Sequence, residues 1–164
     1  REAEALEILE LRVVARPGFG SAGDNTGVQA DTVFLETAIA LRHREAARML
    51  LGRLADTGIS MLGGAGMGMI RCLPQYLGEA EALLGRYDEA RKHYDEAIKI
   101  CIEMRFRPGL AMARLDLAEL LLEHYPADKK EALEHLDFAI KEFREMKMQP
   151  SLERALRHKE ILKA

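Results

Sequence analysis

The chain has 164 residues, of which 48% are hydrophobic and 31% are charged, and its formal net charge is −3. This composition is typical of a globular domain and excludes a disordered chain, and the lack of a basic excess argues against direct contact with nucleic acid. No apolar run reaches the roughly 18–20 residues that span a bilayer, so we expect a cytoplasmic protein without membrane contact.

The first 58 residues predict three helices with irregular connections. We expect helices at Glu2–Ala15, Asp31–Arg44 and Arg44–Asp56, because apolar residues recur there every three or four positions. A Gly-rich connection follows the first helix, and a Gly-rich loop occupies residues 59–70. Since the sequence begins inside a helical phrase and without Met, we expect it to be a fragment of a larger protein.

The glycine-rich segments share only their spacing with nucleotide-binding motifs. Gly18, Gly20 and Gly23 fit G-x-G-x-x-G, but a dinucleotide site needs a strand before the first glycine. We therefore interpret this segment as a flexible connection. Residues 63–68 have the glycine spacing of a phosphate loop. Met69 stands where the phosphate-binding lysine is required, so we interpret that segment as a turn between helix pairs.

A repeat of 42 residues organises the rest of the chain. Residues 87–110 and 129–152 are identical at 11 of 24 positions, whereas chance gives about one or two. Each copy has an apolar stripe of helical period, then Glu-Met, then a proline at 108 or 150. Proline is excluded from helix interiors but tolerated in the first turn. Each phrase therefore predicts a helix end, a short turn and a new helix starting near Pro108 or Pro150.

The remaining segments complete an all-α pattern of roughly eight helices. We expect helices at Cys72–Leu84, Leu110–Glu123 and Ser151–Leu162, the last with one polar face as in a terminal capping helix. Asp128 and Glu131 have the spacing of a capping box for the helix after Pro126. Apart from a possible Arg-Val-Val fragment, no segment alternates as a strand does.

The segment from Tyr76 to Ile100 resembles a tetratricopeptide repeat. The following unit departs from the family pattern, with Ala118 in place of glycine, Leu136 in place of the aromatic residue, and a period of 42 instead of about 34. The resemblance implies a right-handed α-solenoid of antiparallel helix pairs. Its repeat-packing positions fall on Leu77, Gly78, Ala90, Tyr94 and Ala97, then on Leu117, Ala118, Ala132, Leu136 and Ala139, with Pro108 and Pro150 at the turns.

The details of these repeats are similar to two groups of bacterial proteins over about residues 45–148. One group is the ATP-dependent transcriptional activators of the maltose-activator type, and the other is the class III adenylate and guanylate cyclases that carry such repeats. We expect one helical-repeat domain at residues 1–164. Its parts are irregular helices at 1–58, a Gly-rich loop at 59–70, repeats at 71–107 and 108–149, and a capping helix at 150–164.

The resemblance also implies a concave groove lined by the first helix of each pair. The groove is mixed apolar and acidic, so we expect a partner segment with apolar anchors and positive charge. The partner is a protein or peptide segment, or another domain of the same chain. The predicted groove residues are Cys72, Gln75, Glu79 and Leu83 from one unit, and Met112, Leu115, Glu119 and Leu122 from the next.

The histidines and cysteines do not form a catalytic or metal-binding pattern. No two histidines have the i, i+4 spacing of metal ligands, and no Cys-x-x-Cys occurs. Cys101 lies on an apolar stripe, and its separation from Cys72 argues against a disulfide framework. We therefore expect no metal, no cofactor and no catalytic centre. We interpret the histidines as solvated side chains of the convex face, at positions 43, 93, 124, 135 and 158.

The sequence thus favours a non-catalytic protein–protein interaction module of a bacterial signalling or transcription-regulating protein. Two alternatives remain. The chain could be the C-terminal region of a nucleotide cyclase or ATPase whose catalytic domain lies outside it. It could also be a repeat domain that senses a small effector through its groove and Gly-rich loops.

Overall fold

The computed structural model describes residues 1–21, 23–63 and 71–161, which fall into two compact units. Unit 1 comprises Arg1–Ala90 and unit 2 comprises Arg91–Ala164. Helices dominate both units, and within each unit several helices that follow one another in the chain pack together, as short connections favour. The all-α prediction is confirmed.

Unit 1 contains four complete helices and a minimal β-ribbon within its described residues. The second half of the predicted first helix is a π-helix, and a 3₁₀ turn follows α3. The elements are α1 (Glu2–Leu9), the π-helix (Glu10–Val14), α2 (Val28–Ala40), α3 (Arg44–Leu54), the 3₁₀ turn (Ala55–Thr57), β1 (Met61–Leu62), β2 (Arg71–Cys72) and α4 (Leu73–Leu84).

The β-ribbon is a feature that the sequence did not predict. Met61 pairs with Cys72 and Leu62 with Arg71 in antiparallel register. Two residues per strand are too few for period-two alternation to be visible in a sequence. The prediction of a chain without strands, and of a helix starting at Cys72, is corrected accordingly.

The core of unit 1 is formed by apolar faces of α1 to α4 and by the π-helix. Leu35, Leu50, Leu54 and Leu73 are among its largest fully buried side chains. Ala46 and Ala47 are both completely buried on α3, so both faces of the first turns of this helix pack closely. Fully burying each leucine contributes about 1.5–3 kcal/mol.

Unit 2 contains the two long helix pairs of the repeat. Helix α5 (Tyr87–Glu103) begins in unit 1 and continues into unit 2, followed by α6 (Arg107–His124), a 3₁₀ turn (Pro126–Asp128), α7 (Lys129–Glu145) and α8 (Gln149–Ile161). Small and large apolar residues alternate across α6, α7 and α8, which allows close helix packing. Their cluster consists of Ala111, Leu115, Ala118, Leu136, Ala139, Ile140, Phe143 and Ala155.

The two repeated phrases form the same helix-ending motif. After α5, the Phe106 N–H donates to the Cys101 carbonyl at 2.8 Å and the Arg105 N–H to the Ile102 carbonyl at 3.1 Å. This is a Schellman motif, which places Arg105 in the left-handed region at φ 53°. Lys147 occupies the equivalent position after α7 at φ 57°. The predicted sequence of helix end, turn and helix start is confirmed.

Glycine fills this left-handed position after α4. Gly85 has φ 82° there, and the predicted stop at Gly85 is confirmed. Arg42 fills the same position after α2, with φ 54°. The left-handed conformation disfavours side chains with a Cβ, so three of these four turns hold a residue with a conformational cost.

A second glycine is fixed by the side chain that covers the turn after α5. An added Cβ at Gly109 lies 2.4 Å from Cδ1 of Phe106 and 3.0 Å from Sγ of Cys101. Ser151 and the more flexible Met148 stand at the equivalent positions after α7. Phe106 therefore stands beside a glycine in the first turn, whereas Met148 stands with a serine in the second.

The predicted capping box at the start of α7 is wrong. Asp128 precedes the helix but makes no side-chain cap hydrogen bond. Instead, Arg91 on α5 donates to Asp128 at 2.7 Å and to Glu131 at 2.9 Å. The guanidinium of Arg91 thus makes a charge-assisted hydrogen bond to each of the two carboxylates.

Candidate functional site

In unit 1, the predicted groove residues lie along α4 and just before it. Cys72 and Gln75 are buried, at 1% and 7% exposure, while Glu79 and Leu83 are half-buried. The Gln75 amide donates to the Glu79 carboxylate at 3.3 Å. The part of α4 that a partner can reach is therefore centred on Glu79 and Leu83.

In unit 2, the predicted groove residues lie on α6. Leu115 is completely buried and belongs to the apolar cluster, against which Met112 packs. Glu119 and Leu122 are half-buried. Leu115 therefore contributes to the core of this unit and is not accessible to a partner.

Helix α8 binds to this same surface of α6. Arg154 donates to Asp116 Oδ1 and Glu119 Oε1, each at 2.8 Å. His158 Nε2 lies 2.8 Å from Glu119 Oε1. The Asp116 carboxylate is only 3% exposed, so its ion pair with Arg154 replaces hydration that burial removes. The nearby carboxylates raise the pKa of Arg154 against the opposing effect of burial.

Apolar contacts accompany these ion pairs. Leu152 and Leu156 pack against the cluster of unit 2, and Ala155 is part of it. Lys159 also contacts Asp137 on α7 at 2.5 Å. The α6–α7 surface therefore holds an amphipathic basic helix through apolar anchors and paired charges.

The predicted repeat-packing residues divide into buried helix positions and exposed turn positions. Each buried residue lies on a helix of the repeat, and the two prolines lie exposed in the first turns of α6 and α8. The buried residues are Leu77, Gly78, Ala90, Tyr94, Ala97, Leu117, Ala118, Ala132, Leu136 and Ala139, and the exposed ones are Pro108 and Pro150.

The interpretation of the histidines as solvated side chains fits His124, which is exposed, but it is wrong for the other four, which are half-buried. Their side chains are between 14% and 30% exposed, and each lies beside a carboxylate. His43 caps α3 by accepting from the Ala46 N–H at 3.2 Å and contacts Glu10 at 2.9 Å. Burial, and after it the charge of Arg114, lower the pKa of His135. These histidines contribute to the packing of helices.

The loop that the sequence presented as a flexible connection is held by charged side chains. Arg16 donates to Asp24 Oδ2 and to the Thr26 hydroxyl, each at 2.6 Å. Asp24 also accepts the backbone N–H of Gly20 at 2.9 Å and that of Thr26 at 3.1 Å. The bond from Gly20 is the largest of the effects that hold the pKa of Asp24 well below its usual range. The described part of this loop is thus ordered by its own side chains.

Arg53 on α3 anchors this loop to the helical core. Its guanidinium contacts Asp24, donates to the Thr26 carbonyl at 2.6 Å, and lies 2.5 Å from Asp31 Oδ2. Asp31 is completely buried on α2. Burial raises the pKa of the Asp31 carboxyl, and Arg53, followed by Arg16, opposes that rise. We call Arg16, Asp24, Asp31 and Arg53 the loop network.

The aromatic ring of Phe19 lies close to both cations of the loop network. The guanidinium of Arg16 is 4.7 Å from the ring centroid, and that of Arg53 is 5.6 Å away. Both distances are within the range of cation–π attraction. No motif connects these residues, because they are scattered between positions 16 and 53.

A cavity of about 610 Å³ lies between this loop and the C-terminal half of α3. Its wall is partly apolar and partly charged, and Gly52 leaves one part of it without a side chain. The lining includes Phe19, Val28, Met49, Gly52, Arg53 and Asp56.

Clusters of metal-ligating side chains and membrane-spanning helices are both absent from the described ranges 1–21, 23–63 and 71–161. There, no three His, Cys, Asp or Glu side chains are grouped so that they could hold a metal ion. None of the helices in these ranges combines the length and apolar character needed to cross a membrane. Residues 64–68 of the predicted phosphate-loop spacing, with Met69, lie outside the described residues.

The family model described as tetratricopeptide repeat matches residues 70–141. This segment carries tetratricopeptide-like repeats, and the predicted all-α helical-repeat fold is confirmed. Such repeats are generally non-catalytic modules that bind protein partners. No curated protein and no solved structure matches the chain.

Proposed function

We propose that this chain is a regulatory interaction module of a larger bacterial signalling or transcription-regulating protein. It binds a partner segment, or a neighbouring domain of the same polypeptide, on the first helix of each pair. It acts in the cytoplasm, without a cofactor and without direct contact to nucleic acid or membrane.

The observation that carries this proposal is the attachment of α8 to α6. An amphipathic helix with basic residues already occupies this surface, with Arg154 on Asp116 and Glu119. This surface therefore binds a helix of the kind that we expect for a partner, with apolar anchors flanked by positive charge.

The position of Glu79 supports the proposal that α4 binds a partner with the same apolar and basic character. Aligning Leu77-Gly78 with Leu117-Ala118 places Glu79 at the position of Glu119. Glu79 is half-buried and follows the buried Gln75 by one helical turn. A partner with a basic residue opposite Glu79 reproduces on α4 the ion pair that Arg154 of α8 makes with Glu119 on α6.

Two synthetic helical peptides with identical apolar spacing test the proposal. One carries Arg and Lys on its polar face and the other carries Glu, and each is titrated against the full chain by fluorescence anisotropy. We expect the basic peptide to bind and the acidic one not to bind. Glu79→Lys should weaken binding of the basic peptide more than about tenfold, because it sets like charges together.

Glu134→Lys is the matched control, because Glu134 is exposed on α7, the second helix of its pair. It produces the same change in net charge, so binding should match that of the unmodified chain. Equal binding of both peptides, or equal loss in the two variants, would contradict the proposal.

A further inference from the structure

Gly52 lies in a helix, and neither its backbone conformation nor a close contact requires glycine at this position. It lies inside α3, and no atom lies within 4 Å of a Cβ added there. Its φ is not in the left-handed region, unlike that of Gly85. Glycine inside a helix costs about 0.5–1 kcal/mol relative to alanine. A residue with a side chain would therefore fit here and stabilise the helix.

The consequence of Gly52 is space in the cavity between the loop and α3. The cavity of about 610 Å³ is within the roughly 300–1,000 Å³ typical of small-molecule sites. A large side chain at position 52 would project into it. Gly109 differs, since the ring of Phe106 occupies the space beside it.

The charges around the cavity favour a cation. The cavity lies at the C-terminal end of α3, where the helix dipole places partial negative charge. Asp56 lines it, is exposed, and forms no ion pair within the part of the chain that the structure describes. The positive charge of Arg53 is balanced by Asp24 and Asp31.

Apolar side chains form much of the remaining wall, and hydrogen bonds hold part of it. Phe19, Val28 and Met49 supply hydrophobic surface. The loop network holds the Phe19 side of the wall, since Gly20 and Thr26 donate backbone hydrogen bonds to Asp24. An ordered wall reduces the entropy that a ligand loses on binding.

We propose that this cavity binds a small organic cation, an amine with an apolar body, whose charge lies near Asp56 and whose body fills the space left by Gly52. The residues that line this cavity differ from the predicted groove residues on α4 and α6. A small ligand and a protein partner would then bind at different residues of the chain.

Three probes of similar shape and different charge test the proposal on the full chain. They are 2-phenylethylamine, 2-phenylethanol and phenylacetate, which are a cation, a neutral molecule and an anion at pH 7. Binding is followed by shifts of the backbone amide resonances of Gly20, Gly52 and Thr57. We expect saturable shifts with the amine, weaker binding of the alcohol, and no binding of the acid.

Substitutions locate the site. Gly52→Leu should abolish amine binding by filling the cavity, whereas Gly52→Ala, which adds one methyl group, should retain it. Asp56→Asn should weaken amine binding about threefold, as loss of one exposed charge pair does. Glu45→Gln, at the opposite end of α3, is the control for charge. Equal binding of all three probes, no binding of the amine, or unchanged binding to Gly52→Leu would overturn the proposal.

Discussion

The loop at residues 16–27 and the turns at 103–110 and 145–152 all lead from one helix to the next, but different forces hold them. The described part of the loop depends on side-chain charges, with Asp24 accepting from Arg16 and from backbone amides. The turns depend on backbone hydrogen bonds, with apolar side chains covering them.

This difference teaches where each connection is vulnerable. Buried charges such as Asp31 are stabilised only while their partners remain, so losing one partner leaves another charge unpaired. Backbone-capped turns lose stability in small increments instead, because their hydrogen bonds do not depend on side-chain identity. Substitutions in the loop network should therefore have larger effects than substitutions at the turns.

Arg53→Met should give the largest effect. It removes one of the two cations that contact Asp24 and Asp31, and leaves these two largely buried carboxylates with Arg16 alone, which is 4.0 Å from Asp31. We expect the free energy of unfolding to fall by about 3–5 kcal/mol, measured by urea denaturation followed by circular dichroism. Lowering the pH should reduce this loss, because protonation removes the charge of Asp31, which has then lost its nearest cation.

Arg48→Met is the matched control on the same helix. Arg48 is exposed, and we expect a change within about 0.5 kcal/mol. A loss at Arg53 no larger than that at Arg48 would show that the loop network contributes little to stability.

Gly109→Ala should have the next largest effect. The added methyl group lies within 2.5 Å of two ring carbons of Phe106, so the ring must move. Overpacking of this kind costs about 1–3 kcal/mol, measurable by thermal unfolding. Phe106→Met should relieve the cost in the double variant, because Met148 already stands beside Ser151 in the equivalent turn.

Gly52→Ala is the comparison for this substitution. It also replaces a helix glycine, but no atom lies within 4 Å of the new Cβ. It should raise stability by up to about 1 kcal/mol. Equal effects at positions 52 and 109 would mean that the Phe106 contact does not decide the outcome.

The pH dependence of stability should reveal His135. Burial, followed by Arg114, lowers its pKa in the folded state, so the unfolded chain takes up this proton first as the pH falls. Its contribution to stability is complete above about pH 6.5 and decreases below, by at most about 1.4 kcal/mol per pH unit. Denaturation between pH 7 and 5 should show a shallower decline for His135→Gln. Parallel curves for both proteins would exclude this role.

The smallest effects should come from the left-handed turn residues. Arg105→Gly and Lys147→Gly each remove the strain of a side chain at φ near 55°. We expect each to stabilise the chain by about 0.5–1 kcal/mol. Gly85→Arg should act in the opposite direction by a similar amount. Calorimetric unfolding measures whether each substitution raises or lowers stability. Destabilisation by both glycine substitutions would show that the side chains of Arg105 and Lys147 make favourable contacts.

Much of the helical pattern could be predicted from the sequence, because repetition and apolar periodicity are local signals. The identity between residues 87–110 and 129–152 located the turns. The β-ribbon could not be predicted, since two residues per strand carry no period. The prediction of a capping box was wrong because Arg91, which is distant in sequence, binds the same two carboxylates.

The candidate sites were less predictable. Repeat positions identified Glu79 and Glu119, but they could not show that Arg154 and His158 already contact Glu119. The loop network is built from residues as far apart as Arg16 and Arg53, without a period or motif. Only the fold brings such residues together.

The hydrogen bonds from Arg91 also constrain which segment of the chain a duplication could copy with its contacts preserved. Asp128, at the start of α7, is hydrogen-bonded to Arg91, which lies 37 positions earlier on α5. Leu133 stands at the position of Arg91 in the next copy, so that copy cannot make the same bonds. A duplication cut at the turns, copying residues 108–149, would separate Asp128 from its cation. The segment that recombination could copy with these contacts intact therefore runs from within α5 to within α7.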